Sequence, residues 1–209
     1  MPQKNLSALA LAESDPELER AILFLQDPLG DEPHQTVHLQ AAQYLLDHSA
    51  NAHPRLIALL QSNRATNPYA VIEILPRFAL SESLPILEQL MVYGPKNLSQ
   101  AAAQALATHP LKSAREALLR GLNLSDQETI ISAADGLMTR GDPSACSGLQ
   151  KVLTHSDPAV RYHVIQAAGS LGCLKREALS AVARDDLSEG IRELANKLLK
   201  ATPNQGTKP

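Results

Sequence analysis

Residues 118–122 read Leu118-Leu119-Arg120-Gly121-Leu122, and one repeat further on the chain reads Leu149-Gln150-Lys151-Val152-Leu153. Working outward, the same column runs back through Leu87 and Leu56, so that a leucine returns at every thirty-first position. Met91 and Leu60 stand one helical turn behind the two earlier leucines. Apolar residues at i and i+4 share one face of a helix. Their return at a constant period means that one supersecondary unit is copied along the chain. Such a unit cannot bury its apolar stripe alone, so consecutive copies must stack. The expectation is an all-α, right-handed α-solenoid of antiparallel helical hairpins with about five to six repeats.

The first helix of each unit keeps the same period. Val71, Ala102 and Ala133 recur at that interval, as do Leu75, Leu106 and Leu137, and Val164 and Ala168 continue the register. Gly141 and Gly172 repeat the turn in step with them. Helix starts are expected at Asn67-Pro68, Asp142-Pro143 and Asp157-Pro158, each an acceptor side chain ahead of a proline whose missing N–H is not needed in the first turn. Ser125 with Glu128 reads as a capping box. Pro54 and Pro85 mark starts of second helices, and Pro76 predicts a kink or break inside a first helix.

Of the 209 residues, 44% are apolar and only 3% aromatic, without Trp, which suits closely stacked Ala- and Leu-rich helices. No apolar run reaches the roughly 18 residues of a membrane span. Cys146 and Cys173 form no CxxC motif, and no leading signal peptide is read, which suggests inert thiols and a cytoplasmic setting.

The expected organisation is an N-terminal capping segment over residues 1–33, with a helix over 6–13 and a second opened by Asp15-Pro16. A repeat solenoid follows over 34–201, and a polar, disordered tail over 202–209. The helix over 34–48 keeps the period only loosely, because Ala41, Ala42 and Leu45 are offset from the columns.

Asp157-Pro158-Ala159-Val160-Arg161, followed by Ala167-Ala168 and Leu171-Gly172, resembles the short HEAT-like repeat, the variety also found in phycobilisome lyases. Ile191-Arg192 with Ala195 and Leu198 repeats the pattern without the preceding Asp-Pro, while Pro68, Ser99 and Ile130 or their neighbours occupy the arginine position in earlier units. The resemblance covers roughly residues 34–199 and implies adaptors and scaffolds in the main, with a minority of enzyme subunits and chaperones. A bilin lyase-like subunit or chaperone is therefore the alternative function.

Residue by residue, chemistry is sparse. Arg161 and Arg192 read as structural, pairing with acidic caps across the stack. His34 and His38 stand one turn apart, with His48, His53, Asp31, Glu32 and Asp47 nearby, but without a His-Glu pair or cysteine no metal site is expected. His109, His155 and His163 read as solvated. No Gly-x-Ser-x-Gly, P-loop or dinucleotide pattern occurs, so no catalytic residue and no cofactor is assigned, and Gly121, Gly136 and Gly148 read as close-packing positions.

With 19 basic against 22 acidic residues and no basic run, nucleic acid is excluded as the expected partner. Residues 1–50 carry eight acidic and two basic side chains, an uneven charge that could orient a partner. Protein binding is left, on a concave face lined by the second helices. Carrying the face that holds Pro54, Ile57, Ala58 and Gln61 forward by successive repeats gives the candidate contact residues: Gln61, Glu88, Gln89, Glu116, Leu119, Arg120, Gln150 and Lys151, with Val92 as a further apolar anchor.

Overall fold

The computed structural model describes residues 15–27 and 32–201. They form helices joined by turns, with no strand among them. The expected helix over 6–13 and the tail over 202–209 lie outside the described residues. The chain divides into two compact units, Met1–Phe78 and Ala79–Pro209.

In the first unit, α1 (Pro16–Gln26), α2 (Glu32–Asp47), α3 (Ser49–Gln61) and α4 (Pro68–Ile74) pack around Leu18, Leu45, Leu56, Val71 and Leu75, all fully buried. The Asp15 carboxylate accepts from the N–H groups of Glu17 and Leu18, which holds the start of α1. Gln26 ties the end of that helix to the turn before α4 by accepting from the Thr66 N–H at 2.8 Å. Pro76 breaks its helix as expected, and the chain runs on from Ile74 as a 3-10 turn over Leu75–Phe78. Pro54 is a correction, since it lies inside α3, which begins at Ser49, more than a turn earlier. The fully buried Ala52 draws that extra turn into the helix.

The second unit is the regular one. It contains α5 (Leu84–Tyr93), α6 (Lys96–Thr108), α7 (Lys112–Gly121), α8 (Gln127–Arg140), α9 (Cys146–Gln150), α10 (Pro158–Ser170), α11 (Arg176–Asp185) and α12 (Glu189–Ala201). First helices pack on first helices in the order α6, α8, α10, α12, and α5 packs on α7 in the layer of second helices. The hairpin partners α6 and α7 also pack together, as does α11 with α12, the first helix that follows it. This is the two-layer stack of a helical-repeat solenoid.

The columns supply its core. Leu87, Leu118 and Leu149 are 0% exposed, and so are Ala102, Ala133, Val164 and Ala195 in the facing layer. Burying each such leucine contributes about 2 kcal/mol. Alanine lets the first helices approach, and Gly136 lets them close further: a Cβ there would lie 2.8 Å from Leu118 Cδ2 and 3.0 Å from the Ala103 carbonyl oxygen. Gly141 and Gly172 take the left-handed conformation (φ 69° and 71°) that ends α8 and follows α10. In the last second helix the register slips by one position, because Leu179 rather than Ser180 is the side chain buried there.

Caps repeat along the stack. The Asp157 carboxylate accepts from Ala159 and Val160 N–H, and Asp142 from Ser144 N–H. The start of α8 differs from expectation, since Asp126, not Ser125, accepts from the Thr129 N–H at 2.8 Å. Glu128 instead reaches Lys96. Asp126 stands immediately before the helix, where its short side chain meets the third free N–H.

Candidate protein-binding face

Most of the expected contact residues lie on second helices of the regular unit. Glu88 and Gln89 come from α5, Glu116, Leu119 and Arg120 from α7, and Gln150 from α9, with Lys151 as its C-terminal cap residue. Because α7 repeats α5 one period later, Glu88 and Arg120 meet across the layer. Arg120 Nε and Nη2 donate to the two Glu88 carboxylate oxygens at 2.7 and 2.8 Å. That hydrogen bonding holds the Glu88 carboxyl below the usual carboxylate range and raises the Arg120 guanidinium further. Since the arginine is largely exposed, such a pair contributes at most about 1 kcal/mol. It fixes two polar groups in one geometry on the surface.

Gln89, Glu116 and Lys151 are exposed, and the Glu116 carboxylate acts electrostatically on Arg120. Leu119 is half-buried, and its Cδ2 lies 2.6 Å from where a Cβ of Gly148 would sit, so it packs on α9. Gln150 is exposed and donates from Nε2 to the Cys173 carbonyl at 2.9 Å. Gln61 is exposed at the end of α3 in the first unit, where Ile57 is half-buried and Ala58 exposed.

The two cysteines require a correction. Cys146 and Cys173 form a disulfide at a sequence separation of 27, from the start of α9 to the turn between α10 and α11. They are neither free nor inert thiols, and the argument for a reducing compartment falls with that reading.

The histidines also differ from a solvated set. His109 is 1% exposed. Its Nδ1 accepts from the Leu111 N–H, so the ring proton sits on Nε2, which faces Ser83 Oγ at 3.2 Å and the Leu80 carbonyl at 3.3 Å. Burial pushes its pKa down. Half-buried His155 accepts from the Asp157 N–H, and half-buried His163 meets Asp135 at 2.8 Å. In the first unit His38 Nε2 lies 2.7 Å from the Leu25 carbonyl and His48 Nδ1 2.9 Å from that of Tyr44. Asp31 and the side chains of Glu32 and His34 lie outside the described residues. Among the described residues, no group of three or more His, Cys, Asp or Glu side chains is placed to hold a metal ion.

The first unit also holds a cleft of about 450 Å³ to which no sequence column points. Leu25, Leu39, Ala42 and Ile74 line it together with the charged Glu73 and Arg77. It lies between α4, which keeps the period, and α1 and α2, which do not. Arg140 is likewise absent from the sequence-based expectations: its guanidinium donates to the carbonyls of Leu106, Ala107, His109 and Leu111, which closes the open end of α6.

With the stacked hairpins and their capping arginines in view, the comparison with known families falls on the same stretch. Residues 115–200 match the HEAT repeats family. The match runs from within α7 into α12. No curated protein matches the chain. Among the described residues, no helix is long and apolar enough to cross a membrane.

Proposed function

We propose that the protein is a non-catalytic adaptor or scaffold that binds protein partners on the concave face formed by the second helices. Its contact residues are Gln61 in the first unit and Glu88, Gln89, Glu116, Leu119, Arg120, Gln150 and Lys151 in the second. The observation that carries the reading is the Glu88–Arg120 pair, which links polar side chains of successive second helices, α5 and α7, while Gln89, Glu116 and Lys151 on this layer are exposed. HEAT-like repeats present such extended surfaces to protein partners, and the near balance of 19 basic and 22 acidic residues favours protein over nucleic acid.

A bilin lyase-like or chaperone role would call for aromatic side chains gathered around a pocket. Tyr93 and Tyr69 are exposed, Tyr44 stacks on His48, and Tyr162 lies on the outer side of α10. Mixing the protein with a bilin is expected to leave the bilin absorbance unchanged.

The test of the adaptor reading is affinity capture from the source cells with wild type and with Arg120→Glu/Lys151→Glu. The doubly reversed variant puts a carboxylate opposite Glu88 and is expected to lose the captured partner. Equal recovery with both proteins overturns the proposed face.

A further inference from the structure

The α9 helix is the weak member of its layer. It has five residues, whereas α5, α7 and α11 have ten each, and beyond Gln150 the chain passes through turns to residue 154. So short a helix has few internal hydrogen bonds and depends on tertiary ties. Cys173 supplies two of them. Its sulfur is bonded to Cys146 at the first residue of α9, and its carbonyl accepts from Gln150 Nε2 at the last. Between these ties the helix is anchored apolarly by Leu149, 0% exposed, and by the contact of Gly148 with Leu119, and Ala145 just ahead of it is also 0% exposed.

We infer that Cys146–Cys173 is a reducible clamp that sets the order of α9, and with it of Gln150 and Lys151, while the rest of the repeat stack stays folded without it. Cys146 is half-buried and Cys173 is 8% exposed, so the first of the two sulfurs is the one a solvent thiol reaches. A thiolate of a dithiol reductant attacks Cys146 Sγ. The S–S bond breaks, and Cys173 leaves as a thiolate that takes a proton. The second thiol of the reductant then closes onto the first, gives up its proton and releases Cys146 as a thiol. Two electrons pass to the protein, and the reductant ends as its own disulfide. With the covalent tie gone, Leu149 still docks α9, but its ends fray.

The effect on recognition rests on the adaptor reading, whereas the clamp itself can be read without any partner. Hydrogen–deuterium exchange of the full-length protein is compared before and after dithiothreitol, and after reoxidation with oxidised glutathione. Amides over 146–155 are expected to exchange at least about tenfold faster on reduction, with α6, α8 and α10 unchanged, and to recover on reoxidation. The Cys146→Ser/Cys173→Ser variant should show the reduced pattern with no reductant. Two free thiols in the aerated protein, no local change on reduction, or loss of protection throughout the repeat unit would each overturn the clamp. Equal partner recovery with wild type and Arg120→Glu/Lys151→Glu, with the exchange pattern of the clamp as expected, would overturn the adaptor reading alone.

Discussion

The Arg161 guanidinium bridges Asp186 and the carbonyl of His155, which stand at the same place in successive repeats. Nε and Nη2 meet the two Asp186 carboxylate oxygens at 3.1 and 3.0 Å, while Nη1 donates to the His155 and Ser156 carbonyls. Arg192 repeats half of this one unit later, donating to the carbonyls of Asp186 and Leu187. The arginine of the repeat is thus a bolt between loops, which is why it needs both a planar fork and a carboxylate.

Both side chains of this pair are nearly buried, 13% and 11% exposed. Arg161→Ala leaves Asp186 without its partner and is expected to cost about 3 kcal/mol, read by urea denaturation. Arg161→Lys should recover only part of this, because an ammonium cannot span both oxygens and both carbonyls. An undiminished midpoint in the alanine variant would remove the pair from the stability of the stack.

The same pair has a pH signature. Hydrogen bonding from Arg161 holds the Asp186 carboxyl below its ordinary value. A carboxyl depressed in the folded state stabilises above its unfolded pKa, and that contribution is lost as pH falls through the folded value. Denaturation midpoints of Asp186→Asn should therefore fall less steeply than wild type below about pH 4.

His109 acts in a different window. Burial lowers its pKa, so the folded protein holds the neutral ring and the unfolded chain takes up the proton first. Its contribution is complete above about pH 6.5 and declines as pH drops towards the lowered folded value. His109→Gln should flatten the stability profile between about pH 7 and about pH 5, as thermal melts would show; an unchanged slope would mean that the ring is solvated.

Two backbone positions give opposite results. Gly136→Ala is expected to destabilise by about 1–3 kcal/mol, since its Cβ meets Leu118 and the Ala103 carbonyl. Ala79 has a left-handed φ of 57°, so Ala79→Gly should stabilise by about 1 kcal/mol. Paired urea titrations decide both signs.

What the sequence made legible is what the period controls. The leucine and alanine columns, the Asp-Pro caps, the glycines at 141 and 172 and the structural role of Arg161 all follow from residue types recurring in step. The disulfide escapes that logic because a separation of 27 brings two positions together only after α10 has folded back, and CxxC spacing carries no such information. His109 and Arg140 escape it for a related reason: both act at helix ends, where burial is set by the neighbouring repeat and not by their own helix. The cleft of the first unit forms where α1 and α2, which stand outside the columns, meet α4, so the period does not reveal it.

The adaptor face is tested most directly by placing a photo-crosslinking residue at Gln89, Glu116 or Lys151, and in parallel at Thr139 or Tyr162 on the first helices, and irradiating in the source cells. The account predicts one protein partner crosslinked from all three second-helix positions and from neither control. Crosslinks confined to the first helices, or none from the second, would contradict it.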